Sequence, residues 1–362
     1  MMPDSIETRR HQRLVRLALA CVILALGITG LVVAKNLLVP LAAAAMISFV
    51  IHGFAQRIGR ISIAGRRMPP WMSTICAMAG ILVVGAYLLQ FVGSNIAQVQ
   101  NAADTYEHNL LELADLIVER LGALPAWLKT DELGNRFDIA VERADLASLV
   151  SRLVSALSGI AAQAGVILLY VLFLMLERKH FDNKLHALFP RPDQERGTHE
   201  LIARAVERIQ TYLWVKTLIS LLTAVVSYGI MRGVGVDYAE FWALVIFLLN
   251  YIPTLGSLVA VVFPTLLAAV QFVSWGPFLT VLLGLGATQF VIGNLLEPRV
   301  VGNALNLSPL AILLALALWG SVWGVVGMFL CVPLTMVAVI TFAHFEPTRP
   351  IAILLSVDGR IE

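Results

Sequence analysis

The chain has 362 residues, 59% of them hydrophobic and only 14% charged, with a formal net charge of +2. Soluble domains carry about 45–50% apolar and about 25% charged residues, so the composition excludes a pair of soluble domains and favours a lipid-embedded chain. The near-neutral balance leaves no basic face for a nucleic-acid partner.

Arg9, Arg10, Arg13 and Arg16 precede an apolar run at 17–34 that is long enough to span a bilayer core. A signal peptide shares that layout. Here further spans follow at once, so the run is read as a retained first helix. Residues 37–51 form a short second span carrying Pro40, and 71–92 a third, after Arg57, Arg60, Arg66 and Arg67. Cys21, Cys76 and Cys331 all lie in apolar runs, with no Cys or His at metal spacing, and read as buried thiols that pack as small apolar side chains.

The character changes at 93–158. Ile96, Val99, Ala103, Tyr106, Leu110, Leu113, Ile117 and Leu121 recur at spacings of three and four, with acids on the other faces. Pro125 breaks the run, and a second amphipathic stretch follows. This predicts a helical hairpin outside the lipid, packing on itself, on the membrane part or on a neighbouring subunit. A homo-oligomer through 95–158 is the partner it implies. A fourth span is expected at 159–176, a basic loop at 177–212 and a fifth span near 213–231, whose Lys216 would snorkel to the interface. The basic segments fall on one side and the acidic hairpin on the other, which places both termini in the cytoplasm.

Two long apolar blocks complete the chain. Block 241–272 is interrupted by Asn250, Tyr251, Pro253 and Gly256; block 309–342 by Gly320, Ser321 and Gly324. Pro264 and Pro333 follow at similar distances. Unpaired peptide groups in hydrocarbon cost several kcal/mol, so such breaks survive only where they line a cavity or pack in protein. Paired Gly/Pro-interrupted segments point to a transporter site; two kinked or tilted helices without a site would share the pattern. Between the blocks, Gly286, Gln289, Gly293 and Glu297 fall on one helical arc, with Asn294 beside them. Pro298 should end this helix, Gly302 turn the chain and Pro309 open the next run. Glu297 and Arg299 pair with each other or with partners elsewhere. At membrane depth such a residue is a functional candidate; in a loop it is merely solvated.

The stretches "WALVIFLLNYIPTLGSLVAVVFP", "QFVIGNLLEPRVVGNALNLSPLAILLALALWG" and "WGVVGMFLCVPLT" closely resemble the C-terminal signature of the autoinducer-2 exporter family of bacterial permeases. The match is strong over 241–336. The resemblance implies a polytopic inner-membrane protein that exports small polar molecules, the quorum-sensing furanone among them; some relatives are described as sodium/proton antiporters. Its motif positions fall on Asn250, Pro253, Gly256, Gln289, Asn294, Pro298, Gly302 and Pro309.

The expected fold is an all-α polytopic membrane protein of about seven or eight transmembrane helices. It has two Gly/Pro-interrupted, re-entrant or singly crossing segments and the extracytoplasmic amphipathic hairpin. Its parts are 1–92, 93–158, 159–231, a transport core at 232–342 and a cytoplasmic tail at 343–362. Asn250, Tyr251, Gln289, Asn294, Glu297 and Arg299 are the expected solute- or ion-binding residues. Pro253, Gly256, Pro298, Gly302, Pro309, Gly320 and Gly324 are the expected hinges. The partners are membrane lipid and a small polar solute. No cofactor is expected beyond coupling to H⁺ or Na⁺. The other readings are a monovalent cation/proton antiporter and a structural membrane oligomer. An enzyme is not expected: no Gly is followed by Lys, which excludes a P-loop, and no H-E-x-x-H or G-x-S-x-G occurs.

Overall fold

A computed structural model describes residues 6–59, 62–63, 66–67, 69–101, 163–177, 192–301 and 306–359, with isolated positions at 109, 112, 180, 184 and 187. Beyond residue 101 the expected acidic hairpin lies outside the described residues, as does Gly302. What is described is helical, apart from a two-stranded hairpin of Ser62–Ile63 (β1) and Arg66–Arg67 (β2). The helices are α1 Ile6–Val33, α2 Lys35–Ile58 and α3 Pro70–Asn101, then α4 over 163–177 and α5 Pro192–Val234. They continue with α6 Ala239–Leu249, α7 Leu255–Phe272, α8 Trp275–Phe290, α9 Glu297–Val301, α10 Pro309–His344 and α11 Arg349–Leu355.

Five helices among the described residues are long and apolar enough to cross a membrane: Lys35–Ala55, Gly197–Val234, Leu255–Phe272, Trp275–Val300 and Pro309–His344. Shorter apolar helices lie at Trp71–Tyr87, Gln163–Glu177 and Ala239–Leu249. The outward faces are rich in exposed Leu, Val and Phe, as lipid-facing helices require. Of the thiols expected to be buried, Cys331 is buried but Cys76 is exposed on α3.

The 43-residue α5 is the axis of the fold. At 1.5 Å per residue it is about 65 Å long, twice a bilayer core. The basic loop expected up to residue 212 is therefore helical from Pro192 onward. Its charges sit at helical spacing, as in the Arg204–Glu200 pair one turn apart at 2.6 Å.

Both interrupted blocks fold back on themselves. Trp242 on α6 stacks on Phe263 of α7 with ring centroids 6.1 Å apart, a pair that a straight helix would hold about 31 Å apart. The chain reverses at 250–254. Tyr251 N–H donates to Leu248 O, Ile252 N–H to Leu249 O and Gly256 N–H to Ile252 O, so the turn satisfies much of its own backbone. Thr254 sits at φ 61, ψ −51, and Leu255 N–H donates to Pro253 O at 2.7 Å. That is a three-residue γ-turn in its rare, strained positive-φ form. Gly256 is required here, because a Cβ would lie 1.8 Å from Leu249 O. Gln271 fastens the base, donating to Gly235 O and accepting from Asp237 N–H.

The second reversal lies inside α10. Trp319 Nε1 donates to Thr335 Oγ1 at 3.1 Å across sixteen positions, which a continuous helix would separate by about 24 Å. Of the expected interruption at Gly320, Ser321 and Gly324, the first two remain helical. The reversal comes at Gly324 (φ 64, ψ −143), in a backbone region open to glycine almost alone. Gly327 lets the returning arm close: its Cβ would lie 2.0 Å from Trp319 O. Thr254 and Gly256 in one hairpin thus play the parts of Gly324 and Gly327 in the other.

Candidate functional site

The two hairpins enter from opposite ends of α5. The base of α6–α7 is tied to Gly235, just past the C-terminal end of α5, while a Cβ on Gly197 near the N-terminal end would touch the ring of His344 at the base of α10. They meet midway. The Tyr251 ring at the first tip stacks on Phe329 of the second arm of α10, with centroids 4.7 Å apart. Ile252, Tyr212, Leu213, Leu330 and Cys331 pack in one buried cluster around that meeting point.

Where the tips converge, α5 offers polar groups. Lys216, Ser220, Thr223 and Ser227 are all buried, and their spacings of four, three and four place them on one face. Each has a distinct role in the site. Lys216 Nζ reaches Glu297 Oε1 at 2.5 Å. Thr217, one position on, shares a 2.6 Å hydrogen bond with the Tyr251 hydroxyl. Asn250 Nδ2 donates to Ser220 Oγ at 3.1 Å. Thr223 satisfies itself on Ile219 O. Among the described residues, the buried Ser227 Oγ, Thr265 Oγ1 and Gln289 Nε2 find no hydrogen-bond partner. A polar atom buried in that way costs roughly 1–3 kcal/mol.

Glu297 is delivered by an irregular helix. Between α8 and α9, Val291–Leu296 is a π-helical turn. Pro298 does not end the helix, which runs on to Val301. Proline lacks the N–H that would close an α-turn and its ring crowds the carbonyl four residues back; widening the preceding turn relieves both. Ile230 of α5 packs on Gly284 of α8 while Lys216 meets Glu297, so the two helices run antiparallel. In that register Ser227 and Gln289 lie within about one turn along the axis.

Of the residues singled out in the sequence, Asn250, Tyr251, Glu297 and Gln289 face the buried interior along α5. Pro253 and Gly256 shape the first tip. Asn294 and Arg299 are exposed, away from this interior. Glu297 pairs with Lys216, and Arg299 points outward. Pro309 opens α10 with Ser308 as its cap, the hydroxyl accepting from Ala311 N–H. Lys216 does not snorkel; it is buried against Glu297. The polar face of α5 was legible as "KTLISLLTAVVS", but its hydroxyls are diluted among apolar residues and read as an ordinary span.

Comparison with known proteins then gives a consistent result. The model of the family described as AI-2E family transporter matches residues 21–346. The AI-2 transport protein TqsA of Escherichia coli (strain K12) is 30% identical over 327 residues, 90% of this chain and 91% of that protein. A Haemophilus influenzae protein provisionally named a transport protein is 29% identical over 349 residues, 95% of this chain and 96% of its own length. YhhT of Escherichia coli (strain K12), also provisionally named a transport protein, is 34% identical over 213 residues, 58% of this chain and 59% of its own.

Proposed function

The chain belongs to the AI-2E transporter family, and from that premise we propose that this membrane transport protein exports a small hydrophilic molecule, an autoinducer-2-like signal or a related metabolite. The observation that carries the reading is the meeting of two oppositely directed hairpin tips at a buried polar face of α5. A polar solute leaving water needs its hydroxyl groups satisfied. Asn250, Tyr251 and Gln289 offer uncharged donors and acceptors for that purpose. Both hairpins are re-entrant in this reading: the 11-residue α6 is about 16 Å long, half a bilayer core. The tips then act as two gates on a shared site, one facing each side of the bacterial inner membrane, with both termini in the cytoplasm. Asn294 and Arg299, both exposed, contribute at the rim.

The test is efflux of an autoinducer-2-like furanone from cells carrying the wild-type protein or Asn250→Ala. Export is expected to fall at least about tenfold on loss of a solute hydrogen bond in a dry site. Unchanged export by a folded variant removes Asn250 from the mechanism.

A second reading, a monovalent cation/proton antiporter, draws on the Glu297–Lys216 pair. An acid held by a lysine at membrane depth can exchange that partner for a proton or Na⁺. A sodium gradient across sealed vesicles should then move protons, and Glu297→Gln should abolish the movement.

A further inference from the structure

Beyond the last span, α11 has an outer side that no described residue covers. The helix is apolar on both sides. Ala352 is buried against the protein. Pro350, Ile353 and Leu354 lie opposite it, all exposed, within one arc of about 100°. Leu354 is 80% exposed, and Phe345 and Val357, just before and just after the helix, are 55% and 64% exposed. We propose that this outer face of α11 is seated in the membrane, at the boundary between lipid headgroups and acyl chains, and anchors the base of the second hairpin there.

Orientation argues first. Gly320 and Met328 face each other across the two arms of α10. Carried down the arms, that register sets Ser308 level with Ile340, about 3 Å along the axis from Phe342. The two ends of α11 are tied to the two arms at that level. Thr348 Oγ1, at its start, donates to Phe342 O at 3.0 Å, and Leu355 O, at its end, accepts from Ser308 N–H at 2.9 Å. The 7 residues of α11 measure about 10 Å, and packed helices lie about 8–10 Å apart. The helix is therefore a crossbar between the arms. Lying across a hairpin that enters the bilayer, it runs along the membrane surface.

Level argues second. The apolar run of α10 starts at Pro309 and gives way to the exposed His344, Glu346 and Arg349. The crossbar thus sits where hydrocarbon ends and the polar layer begins. Leu310, on the first turn after the Ser308 tie, is 66% exposed and opens the lipid-facing surface of α10. The outer face of α11 adjoins that surface.

Chemistry argues third. A helix this short is not stable in water by itself and depends on packing of its apolar sides. The protein supplies one side. Arg349, the one charged residue of α11, stands at its first position, outside the outer arc. A face without a charge gains nothing from water, whereas the acyl layer asks only for apolar contact. The segment after the last span is then no free cytoplasmic tail, and the second hairpin has a root fixed to the bilayer surface.

The experiment uses the full chain in phospholipid vesicles and reads position alone, so its outcome is independent of whether the protein exports anything. Cys21, Cys76 and Cys331 are replaced by alanine, and Leu354→Cys or Glu346→Cys carries a nitrobenzoxadiazole fluorophore. A phospholipid with a nitroxide near the headgroup end of one acyl chain should quench the Leu354→Cys label several-fold more than the Glu346→Cys label. Iodide in the aqueous phase should give the reverse order. Both positions are exposed, so neither substitution disturbs packing. Val357→Cys probes the same side and should follow Leu354→Cys. Should alanine at position 331 destabilise the chain, Cys331 is kept, since it is buried away from the reagent. If the labels at 354 and 357 are as open to iodide as the label at 346, the face lies in water and the proposal is overturned. If they are shielded from iodide and from the lipid nitroxide alike, a protein surface such as a second copy of this chain covers the face, and the proposal is overturned likewise.

Discussion

Lys216 shows how a single residue changes meaning between sequence and structure. Near the start of an apolar run, a lysine ordinarily snorkels. Here it lies buried, and its ammonium meets the half-buried Glu297 carboxylate eighty-one positions away. That distance in sequence is why the pair was not legible: no local pattern joins α5 to the turn after α8. Asn250 and Tyr251 stood out in the sequence because polar groups in an apolar run must go somewhere satisfied, and both find side-chain partners on α5. The pair itself gives a sharp expectation. Removing one partner strands the other charge in a dry site and costs about 3 kcal/mol, whereas replacing both by apolar residues is near neutral. Lys216→Met and Glu297→Met should each lower the thermal midpoint of the detergent-solubilised protein by several degrees. The double variant should recover most of the loss. Additive losses in the double variant would mean that the two groups are not coupled.

At the scale of elements, the breaks were foreseen and the form of each break was not. Gly, Pro and Asn inside a long apolar block signal an interruption, but kink and reversal use the same residues. The structure decides through the contacts across each turn: Trp242 with Phe263, and Trp319 with Thr335. Of the glycines expected to interrupt the second block, Gly324 takes positive φ and makes the reversal, while Gly320 stays helical. Two glycines on neighbouring elements separate close approach from conformational freedom. A Cβ at Gly256 would sit 1.8 Å from a backbone carbonyl, while at Gly286 it would meet nothing within 4 Å. Gly256→Ala therefore forces the α6–α7 hairpin open and should cost about 3 kcal/mol or more. Gly286→Ala lies in a helix interior, where alanine is favoured over glycine by about 1 kcal/mol, and should be neutral or stabilising. Detergent unfolding curves of the two variants check this directly. Equal stability would place the 250–256 turn in a different conformation from the one described.

For the molecule as a whole, the sequence carried the class and the family signature, while the arrangement of the two hairpins emerged only from α5 as a shared axis. One hairpin is rooted at Gly235, the other beside Gly197, and their tips overlap beside Lys216, Thr217 and Ser220. This opposition gives transport a physical form. Under the proposed reading, a solute held between the tips would be reached from one side when one tip withdraws and from the other side when its counterpart does. The contact between Tyr251 and Phe329 is then the closed state of both gates, and bridging it should stop the cycle without disturbing the fold. In a chain with Cys21, Cys76 and Cys331 replaced by alanine, the pair Tyr251→Cys/Phe329→Cys should be joined by a short thiol-cleavable cross-linker, given ring centroids 4.7 Å apart. Efflux should stop on cross-linking and return on reduction, with each single-cysteine chain insensitive to the reagent. Full-rate export from the bridged protein would show that the tips need not part, and the solute route would then have to lie elsewhere along α5.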